Sequence, residues 1–135
     1  MSARNETAWR MFEADRASKN LGMRLLEAGD GLAVVEMTVG PLMVNGHGIA
    51  HGGFVFTLAD TAFACACNVD GGGVTVASGA DVTFVASARE GDVLVATARE
   101  RVSFGRSGLY DVTVRRGEEV IAEFRGRSRT LPRRD

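Results

Sequence analysis

Residues 51–68, His51-Gly-Gly-Phe-Val-Phe-Thr-Leu-Ala-Asp-Thr-Ala-Phe-Ala-Cys-Ala-Cys-Asn68, form an apolar stretch that contains a single acid, Asp60. Apolar side chains fall at every helical phase, which predicts a helix over about residues 52–69 that is buried on all sides. Burial removes hydration from a carboxylate and usually raises its pKa. Asp60 is therefore a candidate for acid or base chemistry, unless backbone donors satisfy it as a structural acid.

Two glycines, Gly52 and Gly53, stand where this helix begins. The first N–H groups of a helix have no partner within it, and glycine lets a ligand approach the backbone closely. A carbonyl oxygen placed there would have its developing negative charge stabilised, as in the oxyanion hole of acyl transfer. Alternatively, the glycines only allow tight packing against a strand. His51 could cap the helix or orient the loop that precedes it.

Asp60 lies eight residues after Gly52, which corresponds to about 12 Å along a helix axis. Both residues of one chain therefore cannot act on the same carbonyl group. A two-fold dimer with two such helices side by side and antiparallel would bring Asp60 of one subunit towards Gly52 of the other. The spacing predicts a homodimer with two equivalent composite sites.

The composition predicts one ordinary globular domain of 135 residues, with 45% hydrophobic residues, 24% charged residues and a net charge of -1. The basic residues are spread along the chain, which does not favour nucleic acid as a partner. The charged N-terminus is not a secretory signal, and the apolar helix is too short to span a membrane. We therefore expect a cytoplasmic protein without a membrane partner. Cys65 and Cys67 are interpreted as small buried residues rather than a disulfide.

The remaining chain predicts an α+β fold. A short amphipathic helix is expected over about residues 5–18, and a hairpin follows that turns at residues 29–31. After the central helix, four successive strands predict an antiparallel meander; they cover about residues 74–85, 93–104, 107–115 and 119–130. Alternation predicts one buried face in the strand from Val93, formed by Leu94, Ala96, Ala98, Val102 and Phe104. Five to six strands would curl around the helix, and residues 131–135 would form a frayed tail.

Other candidate sites are weaker. His47 and His51 are four residues apart, but the glycines between and after them argue against the helix that would align them as metal ligands, so no metal is expected. Arg125, Arg127 and Arg129 alternate along one strand and share a face, which is either a solvated surface or a phosphate-binding edge.

The motifs of this chain resemble those of the hotdog-fold acyl-CoA thioesterases, most closely the phenylacetic-acid-degradation (PaaI) type, over about residues 8–130. The residues that carry the resemblance are Asn45, His51-Gly-Gly53, Thr57-Leu-Ala-Asp-Thr-Ala-Phe-Ala64, Ser78 and the Ala88-Arg-Glu-Gly-Asp92 turn. The resemblance implies a curved antiparallel sheet wrapped around a long central helix. It also implies dimers that join their sheets and tetramers built from two dimers.

The resemblance also implies roles for individual residues. The Gly52 N–H would polarise the thioester carbonyl, Asp60 of the partner subunit would be the catalytic carboxylate, and Asn45 would help to hold the carbonyl or the water. The residues implied to orient the motif or the substrate are His51, Gly53, Thr61 and Ser78. Asp60 would act as general base or as nucleophile.

The implied reaction is hydrolysis of an acyl-CoA, and it needs no cofactor, because coenzyme A is part of the substrate. An arylacetyl group, such as phenylacetyl or hydroxyphenylacetyl, or a medium-chain acyl group would suit an apolar pocket at the dimer interface. That pocket would be lined by Leu42, Met43 and Ile49. Arg89 and Arg106 are candidates to bind the CoA phosphates.

Two alternatives share the fold. A non-catalytic acyl-CoA sensor would gain nothing from burying Asp60. An acyl-thioester hydratase or dehydratase would use differently spaced motifs. Thiol release from an acyl-CoA distinguishes hydrolysis from both.

Overall fold

The computed structural model describes residues 4–132. Two short helices precede a β-hairpin, one long helix follows, and four strands complete the chain: α1 Glu6–Glu13, α2 Arg16–Asn20, β1 Arg24–Gly29, β2 Leu32–Thr38, α3 Gly52–Cys67, β3 Thr75–Phe84, β4 Val93–Phe104, β5 Ser107–Arg116 and β6 Glu119–Thr130. The six strands form one antiparallel sheet in the order β1-β2-β4-β5-β6-β3. The α+β class and the six-stranded sheet around a central helix are as predicted.

Helix α3 packs mainly on β2, β4 and β5. Alternate residues of these strands face the helix and are buried, because successive side chains of a strand point to opposite faces. The buried sets are Ala33, Val35 and Met37 of β2, Leu94, Ala96 and Ala98 of β4, and Tyr110, Val112 and Val114 of β5.

Cys65 and Cys67 are buried and free, and burial raises the pKa of both thiols to about 12. Among residues 4–132 no helix has the length and apolar content needed to cross a membrane.

The predicted meander of four strands is wrong for the first of them. β4, β5 and β6 are consecutive neighbours, but β3 pairs with β6 at the sheet edge and β4 pairs with β2. The connection over residues 85–92 is not a hairpin turn. Its backbone bonds to the segment before α3, since the Ala50 N–H donates to the Ala88 carbonyl at 2.8 Å and the Val39 N–H to the Asp92 carbonyl at 2.9 Å. The connection therefore crosses the sheet.

The predicted buried face of β4 ends earlier than expected. The register with β5 shifts between Glu100 and Val102, and a bulge of this kind turns the following side chains to the other face. Val102 and Phe104 are consequently 46% and 57% exposed.

The N-terminal segment also differs from the single helix predicted over residues 5–18. The Asp15 carboxylate accepts hydrogen bonds from Ser18 N at 2.9 Å and Ser18 Oγ at 2.6 Å, so it begins a second helix, α2. Helix α1 is capped from outside, because the Asp70 carboxylate accepts from Glu6 N and Thr7 N. α3 ends at Cys67, two residues before the predicted end.

The predicted frayed tail began at Leu131. The Leu131 N–H donates to the Val74 carbonyl at 2.8 Å, which ties this residue to the start of β3. Residues 133–135 lie outside the described residues.

A glycine in β6 makes room for the aromatic core. A Cβ atom at Gly126 would stand 2.8 Å from ring atoms of Phe63. That ring is buried and also packs on Tyr110 and Phe124, with ring centroids 5.4 and 5.8 Å away. A ring enclosed in this way has little space to give.

Gly126→Ala should therefore destabilise the protein by about 1–3 kcal/mol through overpacking. The measurement is the free energy of unfolding from urea denaturation. Gly46→Ala is the control, because a Cβ atom there meets nothing within 4 Å, and it should leave the stability unchanged or slightly raised. Equal stability of Gly126→Ala and wild type would contradict the packing argument.

Candidate active site

The N-terminus of α3 leaves one of its two glycine N–H groups unpaired. His51 is the N-cap, and its Nδ1 accepts a hydrogen bond from Gly53 N at 3.0 Å. The Phe54 N–H donates to the His51 carbonyl at 3.0 Å. Within residues 4–132 the Gly52 N–H has no acceptor. Gly52 thus offers a backbone donor at the positive end of the helix dipole, whereas the N–H of Gly53 is occupied.

A cavity of about 370 Å³ lies beside Gly52. Three residues of the preceding loop line it, Asn45, Ile49 and Ala50. The rest of the lining comes from α3, the end of β3, the segment after it and β6: Gly52, Val55, Phe84, Val85, Ala86, Ser87, Ala88 and Ile121. Most of this lining is apolar, as in pockets that take the apolar part of a ligand. The structure therefore brings Asn45 and Gly52 to one cavity.

Asn45 is held by its own loop. Its Oδ1 accepts hydrogen bonds from His47 N at 2.9 Å and Ile49 N at 3.3 Å. In the described part of the chain, Nδ2 has no acceptor. The side-chain carbonyl is therefore used for the fold, and the amide N–H groups remain available to a ligand.

Only one of the three predicted pocket residues lines this cavity. Ile49 does so, whereas Met43 is buried and Leu42 is 92% exposed. The short helical turn over Pro41–Met43 separates these neighbours, since it directs Met43 into the core and leaves Leu42 in solvent.

Helix α3 is not buried on all sides in a single chain, in contrast to the prediction from its sequence. One stripe at helical spacing stays exposed or half-buried; it consists of Gly53, Phe56, Thr57, Asp60 and Ala64. We call it the α3 stripe. The sheet and the N-terminal helices pack on the other sides, so this stripe is the surface of the helix that the chain itself leaves uncovered.

Asp60 lies in the middle of the α3 stripe. Burial raises the pKa of its carboxyl, and the negative charge of Asp15 raises it further. No hydrogen-bond donor contacts the Asp60 carboxylate within residues 4–132. Backbone donors therefore do not satisfy this acid in the described chain, which argues against a purely structural role. Asp60 does not line the cavity beside Gly52, because eight residues of helix separate the two.

Thr61 and Ser78 are not at the Gly52 cavity either. Thr61 is buried, and its Oγ1 lies 2.8 Å from Ser18 Oγ. Ser78 lies at the register shift between β3 and β6, and its hydroxyl donates to the Arg127 carbonyl at 3.1 Å. Both hydroxyls hold elements of their own chain together.

Arg89 and Arg106, the two arginines predicted to bind the CoA phosphates, are both exposed. Arg89 directly follows Ala88, which lines the cavity, whereas Arg106 lines a different pocket together with Cys67 at the far end of α3. Two of the three alternating arginines of β6 form ion pairs within the chain, Arg125 with Asp111 at 2.7 Å and Arg127 with Asp81 at 2.8 Å. These pairs favour the solvated-surface interpretation of that row.

Sequence reasoning missed two residues near the candidate groups. The single helix predicted over residues 5–18 includes Asp15, although an acid three residues before Ser18 is a typical helix-capping pattern. Phe84 lines the cavity beside Gly52, but nothing local distinguishes it from other strand residues.

The family model described as "Thioesterase superfamily" matches residues 47–123. The acyl-coenzyme A thioesterase PaaI of Escherichia coli (strain K12) is 42% identical over 127 residues, which is 93% of this chain and 90% of that protein. The solved structure of the E. coli PaaI protein has a TM-score of 0.89 at 39% identity, covering 96% of this chain and 97% of that one.

A mutant of the phenylacetic acid degradation protein PaaI from Thermus thermophilus has a TM-score of 0.83 at 33% identity, with 87% of this chain and 100% of that chain covered. Residues 47–123, which the family model matches, contain the α3 N-terminus, Asp60 and most of the sheet. The chain belongs to the thioesterase superfamily and, within it, to the PaaI-type hotdog thioesterases.

Proposed function

We propose that this thioesterase hydrolyses the thioester of an acyl-CoA at a site shared by two subunits. The observation that carries the proposal is the unpaired N–H of Gly52 at an apolar cavity, combined with an unpartnered acid on the exposed stripe of the same helix. The E. coli relative named as an acyl-coenzyme A thioesterase supports the substrate class.

In the proposed reaction, the carbonyl oxygen of the thioester accepts a hydrogen bond from Gly52 N, with the Asn45 amide as a second donor. Both donors stabilise the negative charge that develops on this oxygen during addition. As a general base, Asp60 takes a proton from water while the water oxygen bonds to the carbonyl carbon. The carbon–sulfur bond then breaks, the free acid forms, and the proton passes to the thiolate of CoA. Direct attack by the carboxylate, followed by hydrolysis of the anhydride, gives the same products.

The site requires Asp60 from a second copy of the chain, since about 12 Å of helix separates it from Gly52 of its own chain. Two antiparallel α3 helices that meet along the α3 stripe would bring the two groups together twice, by symmetry. β3 is an edge strand of the sheet. Pairing of two β3 edges would continue the sheet across the dimer and satisfy the backbone groups at this edge. A tetramer of two such dimers is part of the proposal.

The acyl group would occupy the cavity beside Gly52. A volume of about 370 Å³ is at the small end of ligand pockets, which suits an arylacetyl or medium-chain acyl group and leaves the nucleotide outside. Arg89 adjoins the lining and is the better placed of the two candidates for a CoA phosphate. Arg106 would contribute only from another part of the dimer.

Asp60→Asn should reduce turnover by about 10²-fold or more, because an amide neither accepts the proton nor attacks the carbonyl. The measurement is thiol release from a panel of aromatic and aliphatic acyl-CoAs. Asp30→Asn is the matched control, since Asp30 is an exposed acid in the β1–β2 turn, and it should retain full activity.

An unchanged rate for Asp60→Asn would show that the acid is structural. Binding of acyl-CoA without thiol release by either protein would favour the sensor. Addition of water to the acyl chain without thiol release would favour the hydratase.

A subunit-mixing experiment tests the composite site. Gly52→Pro removes the proposed donor, and the extended backbone of His51, at ψ 131, suits a following proline. Because a Cβ atom at this position would meet the Phe84 ring at 2.9 Å, the substitution is combined with Phe84→Ala, which makes room for it. Heterodimers of one Asp60→Asn subunit and one Gly52→Pro/Phe84→Ala subunit contain one intact site of two, because Gly52 and Phe84 of the first subunit meet Asp60 of the second. Isolated by two affinity tags, they should recover about half of the wild-type activity per dimer. Heterodimers as inactive as the two parent variants would exclude a site shared across subunits.

The proposed base also predicts a pH dependence. Activity should fall as pH drops through the pKa of Asp60, because the ionised carboxylate is the reactive form. Asp15→Asn removes the negative charge that contributes to raising this pKa, so the acid limb of kcat/KM against pH should move to lower pH. Asn is also a good N-cap, so α2 should persist. Ser18→Ala, which removes a hydroxyl but no charge, is the control. An unmoved acid limb in Asp15→Asn would contradict the coupling.

A further inference from the structure

The ring of Phe84, the last residue of β3, lies against the first residue of α3. A Cβ atom at Gly52 would stand 2.9 Å from Cζ of Phe84 and 3.3 Å from its Cε1 and Cε2. The tip of the ring therefore occupies the space beside the Gly52 Cα. Because Phe84 also lines the cavity shared by Asn45 and Gly52, the ring forms the part of the cavity wall next to Gly52.

The backbone that carries this ring is fixed. Phe84 pairs with Ala122 of β6. The next two N–H groups, of Val85 and Ala86, both donate to the Ile121 carbonyl, at 2.8 and 3.1 Å. The Phe84 side chain itself is 53% exposed, so its position depends on this backbone and not on enclosure in the core. Replacing the side chain should change the wall without disturbing the packed interior.

We propose that Phe84 determines which acyl groups the site accepts, by limiting the bulk on the carbon next to the thioester carbonyl. The inference rests on the proposed function, because it requires the carbonyl oxygen on the Gly52 N–H. The α-carbon is one bond from the carbonyl carbon, so its substituents meet the ring tip first. An unbranched CH₂, as in phenylacetyl-CoA, passes the ring, whereas an α-methyl group, as in 2-phenylpropionyl-CoA, collides with it.

The test compares kcat/KM for these two thioesters in wild type, Phe84→Ala and Phe84→Leu. One added methyl group in an apolar pocket changes kcat/KM by roughly 10-fold to 200-fold. Wild type should therefore prefer phenylacetyl-CoA by about 10-fold or more, Phe84→Ala should reduce that preference by about 10-fold, and Phe84→Leu should be intermediate. Phe104→Ala is the matched control, because Phe104 is 57% exposed at the end of β4 and does not line the cavity. Its preference should equal that of wild type.

The outcomes separate the two proposals. If wild type releases thiol but both Phe84 variants keep its preference, the inference about Phe84 is overturned and the proposed hydrolysis stands. If wild type releases no thiol from any acyl-CoA, both fall together. Circular dichroism checks that the variants fold, and Phe84→Leu, which keeps a large apolar side chain, carries the test if Phe84→Ala does not fold.

Discussion

Burial of the apolar helix α3 by the antiparallel sheet is the constraint on which the rest of the structure depends. Leu58, Ala59, Ala62 and Ala66 of the helix are fully buried, and the strands supply small or branched side chains that fit against them. Small residues let the helix approach the sheet closely, as the contact between Gly126 and the Phe63 ring illustrates. Because hydrophobic burial is the main favourable term in folding, the chain must cover this helix whatever else it does.

The α3 stripe is the part of the helix that one chain leaves uncovered, and it contains the one acid. A carboxylate here is dehydrated enough to have a raised pKa but remains open to a reactant. The opposite requirement holds at the helix N-terminus, where His51 occupies one N–H and leaves the next one free. One helix therefore positions both an acid and a backbone donor. Its length keeps the two groups of one chain too far apart to act on one carbonyl group, so the proposed site pairs the donor of one chain with the acid of a second copy.

Local signals were sufficient to predict most elements of this fold. The hairpin turn at Gly31 and the strands β4 and β6 lie where turn residues and alternation place them, because both signals depend on neighbours in sequence. The position of β3 could not be predicted in this way. It depends on the crossing of residues 85–92 and their hydrogen bonds to Val39 and Ala50. Likewise, simple alternation predicts that Val102 and Phe104 continue the buried face of β4, but the bulge near Glu100 turns them to the other face. The partner of the Thr61 hydroxyl could not be predicted from local sequence either. Thr61 adjoins Asp60 in the chain, but its hydroxyl contacts Ser18, which belongs to a different helix.

Gly52 combines close packing against a strand residue with an available backbone donor. A Cβ atom at this position would stand 2.9 Å from the tip of the Phe84 ring, so close packing favours glycine there. Its N–H has no acceptor in residues 4–132, which packing does not require. A residue held for packing would gain from pairing its N–H, as Gly53 does with His51. An unpaired N–H is usual at the first residue of a helix. The feature specific to Gly52 is that this donor lies at an apolar cavity, where the proposed thioester carbonyl would accept from it.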